Sequence, residues 1–428
     1  KMKKIFFFTV LLCSISSFSQ SMGYNDLGAL FASDDNYGTA RFRGMSGAFG
    51  ALGGDLSAIT INPAGAAIFL NSEVSTSMSF RNEAINSNYY GTNTKVTRDY
   101  TNFSQIGGVF VFNTGQSNWS KTSIAFNYNT QKDFQSRWAA NGNSNYPTFI
   151  YDETDNIYLF TDGQYFDNYT DGRNDKYTFS FASQYSDKLY IGASFTTNDI
   201  RFYQSVYLEE DNYDVDGNRL LGYLSEDLST WGTGYSFNLG LISKPTQNIR
   251  LGLSYQSPTW YNLIEEFYSE GNLNGFDYSM RSPSKTTASF AYIFNQSGLI
   301  SLDYAYKNYS GIELSPDYDF SEENRIFDTD FRGTSEVRLG TEWRFKQLSA
   351  RGGFHFQQSP YNGAPSSFDT NGYSVGLGYN FGFAKFDFAY EDANYNSTYD
   401  FYPQYDEVDA AYLTNDNSKI TVSLVFSI

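Results

Sequence analysis

The sequence predicts an all-β fold: a transmembrane antiparallel β-barrel of about 14 strands with an N-terminal plug inside its lumen. Three observations predict it. Short segments alternate apolar and polar residues, long and short connections alternate between them, and aromatic residues make up 19% of the chain. After the first twenty residues no apolar run approaches the ~20 residues of a spanning helix. A closed barrel is the other architecture that pairs every backbone group within a bilayer.

Residues 1–20 are predicted to be a secretory signal peptide. A basic start at Met2, Lys3 and Lys4 precedes an apolar run over 5–15 and a small, polar cleavage region over 16–20. Cys13, the only cysteine, lies within it, so we expect a mature chain without disulfides or thiol chemistry. Removing three lysines changes the net charge from -18 to -21. Such an acidic chain is not expected to bind nucleic acid.

Fourteen segments show period two, an even number as in bacterial single-chain barrels. One example is Tyr373, Val375 and Leu377, which alternate with Ser374 and Gly376. The segments are 73–83, 103–112, 121–131, 176–186, 188–200, 234–243, 248–258, 284–294, 299–308, 334–344, 348–357, 371–381, 384–392 and 418–428. The last has an apolar face running to Ile428. Barrel-assembly machinery commonly reads an apolar, aromatic-ended final strand during biogenesis, and this segment matches in part, because Ile and not Phe is its last residue.

The connections alternate in length in register with these strands. The long ones are 84–102, 132–175, 201–233, 259–283, 309–333, 358–370 and 393–417. Membrane barrels have short periplasmic turns and longer outer loops, whereas a soluble sandwich has no reason to sort its loops in this way. The long connections hold 33 of the 47 acids. We interpret this acidity as a solvated outer surface, with divalent-cation bridging to outer-membrane lipid as the alternative.

Residues 21–72 precede the barrel domain (73–428) and are predicted to be a hatch that fills its lumen. They are too rich in glycine for strands and too apolar for a free tail. Gly53 and Gly54 allow close approach to the wall and turn conformations that other residues avoid. Asn62 before Pro63 indicates a fixed turn.

The run GGDLSAITINPAGAAIF, directly before an alternating strand, resembles the N-terminal hatch of the FadL family. Members of this family, including the TodX type, are fourteen-stranded outer-membrane transporters for long-chain fatty acids and other hydrophobic compounds. Asn62, Pro63 and Ala64 match the family's NPA triplet, and Gly65 follows it. The resemblance covers the hatch closely and the rest of the chain only in strand count and loop pattern.

The resemblance implies a monomeric transporter without cofactor in the outer membrane of a Gram-negative bacterium. A hydrophobic ligand is collected by the outer loops and passes to a pocket lined by the hatch and the inner wall. Hatch rearrangement and a kink in the third strand (near 121–131) then let it leave sideways into the membrane, without an energy source. The gate is expected at the triplet, Gly65, Gly53 and Gly54.

Arg41 and Arg43 are the only bases of the hatch, and with Phe42 and Phe49 they are candidate ligand contacts. The arginines would meet a ligand carboxylate or pair with lumen acids such as Glu336 and Glu342, and we favour the pairing. We interpret other lumen charges in the same way, as a mutually paired inner wall: Asp303, Lys307, Arg338, Arg344, Arg351, Lys385, Asp387 and Glu391.

Several alternatives remain. A barrel enzyme would need His355, the only histidine, as its base, but no nucleophile motif lies near it, so we expect no catalysis. Asp214 and Asp216 resemble the start of a calcium loop, but Tyr223 stands where a bidentate Glu is needed, so we expect no metal. A porin for polar solutes, or a barrel that serves a protein-secretion or surface-attachment system, would also suit the predicted fold.

Overall fold

A computed structural model describes residues 21–35, 37–114, 118–152, 156–295 and 297–428. The predicted signal peptide, including Cys13, lies outside the described residues. The described chain forms a closed antiparallel β-barrel of 14 strands, as predicted. Closure is made by the first strand, which pairs with the second and with the last; Glu73 faces Val109 on one side and Ser427 on the other.

The barrel wall consists of 18 strand segments. They are β1 (Glu73–Tyr89), β2 (Thr92–Asn113), β3 (Trp119–Asp133), β4 (Ser136–Gly142), β5 (Phe160–Tyr185), β6 (Leu189–Tyr213), β7 (Arg219–Ser243), β8 (Ile249–Gln256), β9 (Trp260–Ser269), β10 (Asn272–Arg281), β11 (Lys285–Phe294), β12 (Gly298–Asn308), β13 (Glu313–Ser315), β14 (Gly333–Phe345), β15 (Leu348–Gln357), β16 (Thr370–Asn380), β17 (Ala384–Tyr399) and β18 (Ala411–Ser427).

Four wall strands are each interrupted once, so the 18 segments make 14 strands. The interrupted strands are β3/β4, β8/β9, β10/β11 and β12/β13. Pro258 lies in the second interruption and Pro283 in the third. Proline lacks the N–H that a ladder position needs, which accounts for a break at these two points.

Each of the fourteen predicted segments falls on one wall strand and extends past it by at most two residues, but several strands are much longer than predicted. β5, β6 and β7 contain 26, 25 and 25 residues. At ~3.3 Å per residue they reach ~80 Å, well beyond the ~30 Å hydrocarbon core of a bilayer. The predicted long connection 84–102 is mostly strand and turns at Tyr90 and Gly91, both with positive φ. Such two-residue turns match the twist of the paired strands.

The two faces of the wall differ in chemistry. Phe179 and Phe181 of β5 point outward and are exposed, whereas Thr178 and Ser180 between them are buried toward the lumen. Outward apolar side chains recur on every side of the barrel. Among the described residues, no helix has both the length and the apolar character that crossing a membrane requires.

The N-terminal segment (residues 21–72) contains short helices and contacts strands around the barrel. Its helices are α1 (Tyr24–Ala32), α2 (Ala40–Arg43) and the 3-10 turns Ser57–Thr60 and Pro63–Ile68. Elsewhere the chain forms α3 (Ser321–Asp330) and the 3-10 turns Tyr309–Gly311 and Ser366–Phe368. α1 packs with α3 and with inward side chains of β9 and β10 in an apolar cluster.

Candidate functional site

Two wall glycines seat the Asn62-Pro63-Ala64 triplet. A Cβ on Gly240 of β7 would lie 2.0 Å from Asn62 Oδ1, and one on Gly192 of β6 would lie 2.5 Å from Ala64 N. Side chains at either wall position would therefore overlap the triplet. The strands of the wall and the triplet fit together because these two positions lack a Cβ.

Asn62 fixes the turn that sequence reasoning expected. Its backbone is extended, with φ -137° and ψ 104°, as is usual before a proline. Its side chain is 1% exposed, and it accepts a hydrogen bond from Ala64 N at 3.1 Å. Its Nδ2 donates to Gly50 O at 2.7 Å and to Leu241 O at 3.1 Å. A buried amide needs such partners, and here they join the turn to the segment and to β7.

The predicted gate glycines lie together. Gly53 and Gly54 have φ of +57° and +64°, a region that L side chains rarely adopt. Gly54 N donates to Gly65 O at 3.2 Å, and a Cβ on Gly53 would lie 2.7 Å from Gly65 Cα. The two glycine stretches therefore pack backbone against backbone.

A buried carboxylate connects two parts of the N-terminal segment. Thr39 Oγ1 donates to both oxygens of Asp55, at 2.9 and 2.8 Å, and Ser57 N donates to Asp55 Oδ1 at 2.9 Å. Thr39 also caps α2 by accepting from Phe42 N at 3.1 Å. Burial raises the pKa of the Asp55 carboxyl above its ordinary value, although Arg41 opposes the shift.

Arg41 is bound to the barrel wall. Its Nε donates to Glu342 Oε2 at 2.8 Å, its Nη2 to Glu342 Oε1 at 3.2 Å and its Nη1 to Gly54 O at 2.9 Å. Glu342, 1% exposed, also pairs with Arg344 and Arg351. Burial alone would lower the pKa of Arg41, but Glu342 outweighs it and the pKa lies above its ordinary value. Arg41 is a candidate either as a ligand contact or as the partner of a lumen acid, and in the structure it forms the ion pair.

Arg43 pairs with Glu391 of β17 and not with Glu336. The reason is position: α2 lies against β16, β17 and β18, whereas Glu336 is on β14. Glu336 instead pairs with Arg338 and, at 2.8 Å, with Lys285. Both arginines of the N-terminal segment thus form ion pairs with wall carboxylates.

Phe42 and Phe49 are buried and contact each other, with ring centroids 5.5 Å apart. The Arg41 guanidinium lies 5.2 Å from the Phe49 ring centroid. Phe42 also lines a lumen cavity. Of the four candidate ligand contacts, Phe42 is the one that borders this empty space.

The cavity lies between the N-terminal segment and the wall and is small, with a volume of about 20 Å³, room for about one water molecule. A second space, of about 10 Å³, shares Asp34 and Lys285 with it, and we call the two together the lysine cavity. Three more bases line it, Lys176, Lys307 and Arg338. Lys176 is 3% exposed, and within the described ranges its ammonium group makes no hydrogen bond or ion pair.

Two of these lysines face each other directly across a strand pair. Lys285 of β11 is opposite Lys307 of β12 in the ladder. Like charges at opposing positions are destabilising. Lys307 donates to Ala32 O, the final residue of α1, and in the described chain it makes no ion pair with a carboxylate. The interpretation of Lys307 as part of a mutually paired wall is therefore wrong, because the register places a lysine and not an acid opposite it.

An apolar cluster adjoins the lysine cavity on the side of α1. Tyr309 belongs to both. We call this the α1 cluster; it contains Leu27, Ala29, Phe31, Ala32, Phe134, Ile200, Phe202, Leu228, Tyr261, Leu263, Tyr278, Met280, Tyr309, Ile312, Leu314, Phe320, Phe327 and Phe331. The lumen therefore offers a basic region directly beside an apolar one.

The third wall strand is interrupted between Asp133 and Ser136. β3 has an irregular register between Thr130 and Lys132, and β4 begins three residues after β3 ends. The last β2–β3 backbone pair is Gln105 with Asn129, whereas β2 continues to pair with β1 as far as Thr92. Within the described strands, β2 and β3 thus separate beyond this pair. We call this stretch, where β4 contacts β2 without a backbone ladder in the described strands, the lateral gap; it lies at the edge of the kink expected near 121–131.

The N-terminal segment contacts β3 beside this gap. Asp35 N donates to Gln131 O at 2.8 Å, and Asp35 accepts from Lys132 Nζ at 2.7 Å and from Asp133 N at 3.2 Å. Burial alone would raise the pKa of Asp35, but Lys132 and Lys419 outweigh it and lower the pKa to about 2.

His355 and the acidic turn have local contacts of their own. The imidazole of His355 packs against Gly372, where a Cβ would lie 2.1 Å from His355 Cε1. Asp214 accepts from Asp216 N at 2.9 Å and from Asn218 N at 2.8 Å, as in a self-capped turn. In the described part of the chain, no three His, Cys, Asp or Glu side chains are grouped so that they could hold a metal ion.

Sequence reasoning missed the lysine cavity. Period two places Lys176, Lys285 and Lys307 on the lumen face of their strands, and that signal was present. Which of these lysines lie close together depends on the stagger between strands, and the alternation of residues along one strand does not reveal that stagger.

Comparison with solved structures supports the expected resemblance in fold. A Pseudomonas aeruginosa FadL homologue matches with a TM-score of 0.63 and 14% identity, over 91% of this chain and 98% of that chain. The Pseudomonas putida toluene transporter TodX matches with a TM-score of 0.56 and 14% identity, over 92% and 99%. The Ralstonia pickettii toluene transporter TbuX matches with 0.54 and 17%, over 92% and 99%. No family model matches the sequence, and no curated protein matches it.

Proposed function

We propose that the protein is an outer-membrane transporter, not an enzyme, for the passive uptake of hydrophobic compounds in a Gram-negative bacterium. The observation that carries this proposal is the lateral gap, where backbone pairing between β2 and β3 ends beside the N-terminal segment, so that a rearrangement there would open the lumen toward the lipid. The solved barrels of similar fold include two toluene transporters and a FadL homologue, which supports this class of compound.

A membrane location follows from the two faces of the wall. A belt of exposed Phe, Leu, Ile and Tyr suits lipid, and a closed ladder leaves few unpaired backbone groups. We expect residues 1–20 to direct export and to be removed, the barrel-assembly machinery to insert the chain, and a monomer to result.

The N-terminal segment would act as the hatch. Asn62, Pro63, Ala64 and the three packed glycines hold it against β6 and β7. Rearrangement of this contact would open the gate. Lateral exit spares an apolar ligand from a water-filled pore, which is unfavourable by ~0.8 kcal/mol per exposed methylene.

Within this class the lysine cavity favours a long-chain fatty acid over a neutral hydrocarbon. A carboxylate head would satisfy Lys176 and Lys307, which pair with no carboxylate among the described residues, while the acyl chain would lie against the α1 cluster once the N-terminal segment rearranges. Arg41 and Arg43 already pair with Glu342 and Glu391, so we do not assign them as the head-group contact.

Binding measurements with ligands of equal chain length test the proposal. We expect the detergent-purified protein to bind palmitate at least ten times more tightly than hexadecanol. Lys176→Met should remove this preference and leave hexadecanol binding unchanged. Lys188→Met, at an exposed turn, is the matched control. Equal binding of both ligands to the wild type would refute the fatty-acid assignment, and binding of neither would refute hydrophobic uptake.

Two further outcomes would select the alternatives. A barrel that binds neither ligand but conducts ions in a planar bilayer would be a porin. A non-conducting barrel that purifies with a second envelope protein would indicate a secretion or attachment role.

A further inference from the structure

Asp133 lies at the lateral gap and contacts three different elements. It accepts hydrogen bonds from Asn102 Nδ2 of β2 at 2.7 Å, from Arg81 Nη2 of β1 at 3.0 Å and from Tyr37 OH of the N-terminal segment at 3.2 Å. All three donors reach Oδ2, and the side chain is 2% exposed. One carboxylate oxygen thus joins both sides of the gap and the segment beside it.

The neighbours of Asp133 hold its donors in place. Arg81 pairs with Glu83 at 2.8 Å, and its guanidinium lies 4.6 Å from the ring centroid of Tyr100. Lys419 Nζ lies 3.7 Å from the ring centroid of Tyr37. Hydrogen bonds to a carboxylate are stronger than neutral ones. The three hydrogen bonds to Asp133 therefore hold the wall together where backbone pairs between β2 and β3 are missing.

Several buried polar atoms without partners lie around the same place. Within the described residues they include Ser104 Oγ, Thr130 Oγ1, Gln135 Oε1, Glu83 Oε2 and Arg81 Nε. Such atoms are uncommon in a static interior and need an explanation. A second arrangement in which the gap is open to polar groups or water would satisfy them.

We infer that Asp133 is a positioning residue: it closes the lateral gap at rest and couples the gap to the N-terminal segment through Tyr37. Displacement of the segment removes the Tyr37 donor and weakens the closure, and opening of the gap releases the segment. The inference rests on the proposed function, because the gap is the exit for the ligand.

A buried cysteine in the gap reports whether the closure holds. Ser104→Cys is nearly isosteric, and this position of β2 has no exposed surface. In a Cys13→Ser background this is the only cysteine of the chain. The rate of labelling by a membrane-soluble maleimide in phosphatidylcholine vesicles then measures opening. Ser194→Cys, buried on β6, is the remote reporter. Loss of the heat-dependent gel shift of a folded barrel would identify variants that do not fold.

We expect Asp133→Ala to accelerate labelling at position 104 at least tenfold and Asp133→Asn to have a smaller effect. Tyr37→Phe should accelerate labelling as well, although it lies outside the wall. Asp167→Ala, which breaks a pair with Arg137 of β4, is the matched control and should have no effect. If Asp133→Ala does not fold, Tyr37→Phe combined with Asn102→Ala removes two of the same contacts.

Unchanged labelling at position 104 in folded variants would overturn the inference, as would an equal increase at position 194, which would mean general loosening. Faster labelling with Asp133→Ala but not with Tyr37→Phe would overturn the coupling. These outcomes do not depend on ligand. A wild type that binds no hydrophobic compound yet shows the labelling pattern would refute the transporter and leave the closure standing.

Discussion

The seat of the triplet on Gly192 and Gly240 leads to a quantitative prediction. In Gly240→Ala the new Cβ would lie 2.0 Å from Asn62 Oδ1, and in Gly192→Ala it would lie 2.5 Å from Ala64 N. Contacts under 3.0 Å are essentially absent from real structures, so the triplet must move by about 0.5–1 Å. Such overpacking costs about 1–3 kcal/mol. At 1.4 kcal/mol per factor of ten, the displaced population should rise about 5- to 150-fold.

Trypsin provides the assay without further changes to the chain. Arg41 and Arg43 are the only basic residues between 21 and 72, and both are bound in ion pairs when the segment is in place. When opening and closing are fast relative to cleavage, the cleavage rate follows the population of the displaced state. Mass spectrometry of the released N-terminal peptide then measures that population for each variant.

The matched control is Gly352→Ala of β15, where a Cβ would meet its nearest neighbours only at 3.9 Å. We expect its cleavage rate to equal that of the wild type. The reasoning fails if Gly192→Ala and Gly240→Ala are cleaved no faster than this control. It also fails if all three are cleaved faster, because the effect would then come from alanine in the wall and not from the seat.

Three other perturbations have defined outcomes. Asn62→Ala removes a cap worth about 1 kcal/mol and leaves two carbonyls without a donor, so tryptic release should accelerate at least fivefold. Glu210→Ala removes the acceptor of Thr148 N, Phe149 N and Tyr402 OH. Hydrogen exchange of the Thr148 and Phe149 amides should therefore accelerate about tenfold or more. The pKa of Asp35 in the folded protein, about 2, lies below its ordinary value of ~3.9. The carboxylate therefore stabilises the fold above pH ~3.9, and this stabilisation is lost as the pH falls toward about 2. The melting-temperature advantage of the wild type over Asp35→Asn should therefore be constant above about pH 4 and disappear near pH 2.

The strand count was predictable because alternation is local. Val375 and Leu377 point outward and Ser374 points inward whatever the neighbouring strands are, so each segment carries its own evidence. Strand length was not predictable in the same way. The outer hairpins are polar on their exposed faces, and a polar strand that leaves the membrane looks like a loop when only its composition is considered.

The partners of the hatch arginines show where sequence reasoning ends. Burial of Arg41 in an apolar lumen would be unfavourable, so pairing with a wall acid was predictable, and Glu342 was named correctly. The partner of Arg43 is Glu391, which lies three wall strands away from Glu342. The alternation of inward and outward positions along a strand shows that both acids face the lumen. Which of them lies beside α2 depends on the stagger of the strands.

The packing of the N-terminal segment bears on whether it can move as a unit. One of its apolar clusters consists almost entirely of its own residues: Phe42, Met45, Phe49, Ala51, Leu52 and Ala58, with Ala291 and Leu299 from the wall. The stretch that carries this cluster meets the wall largely through polar contacts, such as Gly50 N to Asp303 at 2.9 Å and Ser46 N to Ser374 at 3.0 Å, whereas α1 and residues 56–69 pack apolar side chains against the wall. Each neutral bond contributes only about 0.5–1.5 kcal/mol net, because water replaces it when it breaks. Displacement of the stretch around α2 would therefore keep its internal cluster and exchange polar wall contacts for water, whereas displacement of α1 or of residues 56–69 would also expose apolar surface. The closed ladder around it has no such replacement in lipid, so the wall would remain in place while the segment rearranges.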